Sequence, residues 1–106
     1  MSTQPNVTPV LDLLTGINVA SMEASRLEIA DQMLVRIAAL VAVDAPPASY
    51  LMNLEAAGEA GVTPEQVDGV LCAIAPIVGT TRVVSAAGKM MRSLGLAVEL
   101  AELEEE

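Results

Sequence analysis

In the stretch "DAPPASYLMN", residues 44–53, three hydrogen-bonding side chains, Ser49, Tyr50 and Asn53, stand at i, i+1 and i+4. On a helix this spacing puts Ser49 and Asn53 on one face with Tyr50 beside them. Such a face can line a small polar pocket, with Asn53 as donor and Ser49 or Tyr50 as a weak acid or anchor. The plainer alternative, which we prefer, has Ser49 finishing a proline-rich first turn. Tyr50 then packs at a subunit contact and Asn53 bonds a neighbouring backbone group. Arg36 is the one charge in the apolar run of residues 33–43, and a guanidinium taken out of water needs a carboxylate or carbonyl partners. Glu55, Asp44 or Glu65 can supply the carboxylate, and a structural ion pair is preferred here to an anchor for an anionic ligand. Arg82 stands where a helix dipole opposes its charge, so it too is expected to pair with an acid.

Other chemistries lack their residues. The 106 residues include no His and a single Cys, which removes the commonest acid/base at neutral pH and excludes a zinc or iron site built from His and Cys; neither a metal nor a cofactor is expected. Fourteen acids against five bases give a formal charge of −9, which repels nucleic-acid phosphates and anionic membrane surfaces. The longest apolar segments, residues 33–43 and 70–78, are too short to span a bilayer, and no secretory signal is evident. Cys72, in the apolar run Val70-Leu-Cys-Ala-Ile74, reads as a small buried residue in a reducing compartment. A cytoplasmic location is expected.

The composition is 53% apolar with no Phe or Trp, and Tyr50 is the only aromatic residue. So much aliphatic surface on a small domain calls for burial between subunits. Met33, Met52, Met90 and Met91 are expected as core filler.

The elements that must hold these side chains are helical throughout, in one domain of residues 1–106. Residues 1–7 are polar and expected to be loose. Thr8 and Pro9 open a first amphipathic helix to about Met22. Ser25-Arg-Leu-Glu28 has the form of a capping box for a second, central helix, which Asp44 and the proline pair end. A third runs from about Pro46 to Ala60 and stops at Gly61. Thr63-Pro-Glu-Gln66 caps a fourth, in which Pro76 predicts a kink or an early end before Gly79. Thr80 or Thr81 caps the last, through Leu94, with a possible break at Gly95. The acidic tail, residues 97–106, places carboxylates where a helix dipole prefers cations and should fray unless it docks. The fold class is all-α, a bundle of about five to six helices.

Residues 28–95 carry "QMLVRIAALVAV", "ASYLMNLEAAGEAG", "VTPEQVDGVL" and "APIVGTTRVVSAAGKMM" in order. This succession resembles the carboxymuconolactone decarboxylase family, which includes the alkylhydroperoxidase D-like proteins. The resemblance implies an all-α, alkylhydroperoxidase D-like fold that assembles as a homo-trimer or hexamer. The redox branch of that family carries C-x-x-C-x-x-x-H, whose positions fall near Pro46, Ser49 and Asn53 here. Its earlier glutamate falls where Met33 and Leu34 stand, with Gln32 the nearest polar residue. The family's decarboxylases also use a histidine in this helix. The resemblance therefore implies a non-redox member with at most a small-molecule pocket near Ser49, Tyr50, Asn53 and Arg36. The alternatives are an enzyme acting on a small acid or lactone through Tyr50, Arg36 and Glu55, and a scaffold subunit whose acidic tail recruits a partner.

Overall fold

Five α-helices follow one another in the computed structural model, which describes residues 8–105, without the side chains of residues 96, 97, 99–101, 104 and 105. They are α1 (Thr8–Ala24), α2 (Ile29–Ala42), α3 (Pro47–Glu59), α4 (Pro64–Val78) and α5 (Thr80–Glu105). The described residues contain no strand. Residues 1–7, expected to be loose, lie outside the description.

The central position of α2 follows from its side chains. Met33, Ile37 and Val41 repeat at i, i+4 and i+8 and are buried, and the helix touches α3, α4 and α5. Tyr50 and Ala57 come from α3, and Ala86 and Met90 from α5. From α4, Val67, Val70, Leu71, Ile74 and Val78 cover the core while staying partly exposed.

Several helix ends follow the local chemistry of the sequence. Thr63 accepts from the Gln66 backbone at 3.2 Å while Gln66 Oε1 accepts from the Thr63 backbone at 2.9 Å, a complete capping box. The end of α3 is a Schellman turn: the Val62 amide donates to the Ala57 carbonyl, the Gly61 amide to the Gly58 carbonyl, and Gly61 takes φ 88°. Because Gly has no Cβ, that left-handed conformation carries little strain. A single residue, Gly79, separates α4 from α5.

Other expectations are corrected. Ser25 and Glu28 form no capping box. The Ser25 hydroxyl accepts from the Leu27 amide at 3.3 Å, a local turn that competes with helix, and α2 starts later, at Ile29. Pro76 lies inside α4, which does not end early but continues to Val78 and is finished by Gly79; the ring costs the helix its own N–H bond without stopping it. Gly95 does not break α5. The Leu, Ala and Glu residues after it are strong helix formers, and together they outweigh one glycine at about 1 kcal/mol. Cys72 is exposed, since the core stripe of α4 passes through Leu71 and Ile74 and leaves residue 72 on the outer side. Met52 and Met91 are exposed as well, and only Met33 and Met90 of the four fill the core.

The helix α1 stands apart. Every residue in it except Met22 is exposed, and it makes no substantial contact with α3, α4 or α5. The radius of gyration is 15.5 Å, against about 13 Å for a compact domain of this length.

Candidate functional site

The densest polar contact between helices lies where α2 stops. Ala45 donates to the Leu40 carbonyl and Asp44 to the Val41 carbonyl, the same Schellman turn as at Gly61. Here the left-handed position is held by an acid, Asp44, at φ 54°, one of the few residue types that tolerate it.

One face of α5 reaches over this turn. Arg82 Nη1 donates to the Ala42 carbonyl at 2.9 Å, and Ser85 Oγ donates to Asp44 Oδ1 at 3.0 Å. Lys89 Nζ donates to Asp44 Oδ1 at 2.8 Å and to its carbonyl at 3.2 Å. Positions 82, 85 and 89 are i, i+3 and i+7, so the three side chains share a face. Arg82 therefore meets a backbone carbonyl and not the expected acid. The free carbonyls at the α2 C-terminus carry the negative end of the helix dipole and take its place.

The hydrogen bonds from Lys89, and then from Ser85, hold the Asp44 carboxyl below its ordinary range. A lowered pKa in the folded state stabilises it above the ordinary carboxylate value, near pH 4, and that contribution disappears as pH falls through the folded value. Asp44→Asn is therefore expected to flatten the acid limb of the stability curve. Urea unfolding from roughly pH 6 downwards, compared between variant and wild type, measures the difference; parallel curves would contradict it.

The five side chains singled out by spacing are placed as follows. Tyr50 is fully buried, and its hydroxyl has no hydrogen-bond partner among the described residues. Burial pushes the phenol pKa up, with a further contribution from the charge of Asp44. Ser49 lies in the first turn of α3, where its amide donates to the Pro46 carbonyl at 3.1 Å. Asn53 Nδ2 donates to the Ser49 carbonyl at 2.8 Å, one turn back on the same helix. Glu55 is exposed.

Arg36 belongs to a different neighbourhood. Its guanidinium donates to Asn18 Oδ1 and, at 3.4 Å, to Ser21 Oγ, both on α1. The anticipated ion pair with Glu55, Asp44 or Glu65 is absent: the one salt bridge among the described residues is Lys89 with Asp44. Arg36 is only partly buried, so water shares its solvation and neutral oxygens suffice. The hollow beside it, about 130 Å³, is lined by Ser21, Gln32 and Arg36 among others. None of the other four candidates lines it.

A larger feature was not anticipated from spacing. An open apolar trough of about 390 Å³ runs between α3, α4 and α5, lined by Leu54, Gly58, Val62, Val67, Met90 and Leu94 among others. None of the five candidate side chains lines it. Among the described residues, no three His, Cys, Asp or Glu side chains converge to hold a metal ion, and no helix is long and apolar enough to cross a membrane.

Compared with known proteins, the sequence matches no family model, no curated protein and no solved structure.

Proposed function

We propose that this chain is a self-associating helical protein of the carboxymuconolactone decarboxylase-like type, a non-redox member working as a homo-oligomer in a reducing compartment such as the cytoplasm. One observation carries the reading: α1 is a 17-residue helix that buries none of its residues. Val10, Leu11, Leu13, Leu14, Ile17 and Val19 are all 48–63% exposed on it. Isolated helices of this length are marginal in water and gain stability by packing an apolar face. A contiguous apolar surface of this kind marks a contact with another macromolecule.

Thiol chemistry of the related redox proteins has no support in the side chains present, since Pro46, Ser49 and Asn53 stand where the reactive residues would fall. A second reading, a small-molecule binder, is favoured by the sealed, unpartnered hydroxyl of Tyr50, a group that a buried water or ligand would satisfy. The primary reading predicts a mass in solution that is a multiple of the 10.9 kDa chain. Native mass spectrometry and light scattering at micromolar concentration check it, and a monomer there would remove it.

A further inference from the structure

Arg36 lacks the carboxylate partner expected for a guanidinium in an apolar run, and the hollow beside it is lined by hydrogen-bond donors. A guanidinium carries five N–H donors, and the bonds to Asn18 Oδ1 and Ser21 Oγ use two of them. Both acceptors are neutral, and the one salt bridge among the described residues lies elsewhere. Ser21, Ser25, Leu27, Gln32, Val35 and Arg36 line the hollow of about 130 Å³, with no acid among them. The Ser21 oxygen accepts from Arg36 and the Ser25 oxygen accepts from the Leu27 amide. Each hydroxyl proton is left to donate. Gln32 is only 6% exposed, and its Nε2 donates one proton to the Leu27 carbonyl at 2.9 Å. That bond fixes which way the amide points and leaves its second proton unused.

We infer that this hollow between α1 and α2 binds a short-chain monocarboxylate, of the size of acetate or propionate. The site shares Arg36, but not Ser49, Tyr50 or Asn53, with the pocket expected from spacing, and it does not depend on self-association. A carboxylate only accepts hydrogen bonds, which matches the donors that remain, and it supplies the charge partner that Arg36 lacks. Volume sets the size. At about 30 Å³ for each water-sized group, the hollow holds roughly four to five non-hydrogen atoms, well short of the ~300 Å³ at which pockets for drug-sized ligands begin. Leu27 and Val35 give the lining an aliphatic part, which receives a methyl or ethyl group and leaves the further oxygens of a phosphate without partners. The formal charge of −9 also repels a dianion more than a monoanion. Ser21 comes from α1, Gln32 and Arg36 from α2, and Ser25 from the connection between them, so the bound anion holds α1 against α2.

The full chain, labelled with nitrogen-15, is titrated with sodium acetate and separately with sodium propionate at neutral pH, with ionic strength held constant by sodium chloride. The side-chain signals of Gln32 and Arg36 are followed by nuclear magnetic resonance. The expected result is a saturable shift of both, with a midpoint in the millimolar range that suits so small a ligand. Two variants test the location through the Gln32 signal. Arg36→Gln removes the charge, and Val35→Phe fills the hollow from an exposed position while leaving the bonds from Arg36 to α1 in place. Each is expected to weaken binding about tenfold or more. A shift that never saturates, or that sodium chloride reproduces, overturns the site. Binding that survives Val35→Phe overturns its placement in this hollow, and phosphate saturating the same signals at lower concentration than acetate overturns the carboxylate assignment. None of these results alters the mass in solution that tests self-association.

Discussion

Replacing Tyr50 by Ala is expected to lower the stability of the fold by about 3–5 kcal/mol, the usual cost of deleting a buried aromatic ring. The ring is the largest fully buried side chain and lies among Met33, Ile37, Val41, Ala57 and Met90. A chain of this size holds on the order of 5–15 kcal/mol in total, so the variant is left marginal. Tyr50→Phe is expected to act in the opposite direction. The hydroxyl is buried and has no partner, and such a group costs about 1–3 kcal/mol relative to an apolar replacement. A gain of about 1 kcal/mol is therefore anticipated, measured by urea unfolding. If Tyr50→Phe instead destabilises, the hydroxyl is satisfied in solution by a buried water or a ligand. The phenol also gives this region an alkaline signature. Its pKa is raised by burial first and by Asp44 second, so the folded state holds this proton more tightly than the unfolded chain. Stability from this source is complete below about pH 10 and is lost as pH rises through the folded value.

Gly79→Ala is expected to destabilise by about 1–3 kcal/mol, and Gly88→Ala to stabilise by about 0.5–1 kcal/mol. Both glycines have open space where a Cβ would go, so crowding does not separate them. Backbone conformation does. Gly79 holds φ 91° and ψ 154°, a region that residues with side chains scarcely enter. Gly88 lies inside α5, where alanine is the better helix former. Since Gly79 is the only residue between α4 and α5, relaxing its dihedrals would redirect the whole of α5. That helix carries Arg82, Ser85 and Lys89 over the end of α2. Thermal unfolding resolves the pair, because for a chain near this size each kcal/mol moves the midpoint by about 4–8 °C. Shifts of the same sign at both positions would contradict the argument.

Much of the helical layout was legible because its signals are local. The apolar period of α2, the Thr63-Pro-Glu-Gln66 cap and the stops at Gly61 and Gly79 each involve residues within a turn or two of one another. Where local signals compete, spacing alone misleads. Ser25 has the choice between a cap and a turn, and Gly95 is outvoted by the helix formers that follow it. Polar partnerships were the least legible. Which oxygen receives Arg36 depends on where α1 lies, and which receives Arg82 depends on how α5 crosses α2; both are separations of 15 residues or more. A partial signal for the Asp44 cluster did exist in the i, i+3, i+7 spacing of Arg82, Ser85 and Lys89. It could not have named its acceptor. The trough is a product of three helices, and no single segment announces it.

The outward position of Cys72 has a consequence for covalent chemistry. With one thiol in the chain, no disulfide can form within it, and any that forms under oxidising conditions must link two molecules. The link would run through α4, on a surface that is not part of the trough. A cross-linked pair of that kind would be covalent, unlike an assembly held through the exposed face of α1, and a reductant alone would tell the two apart.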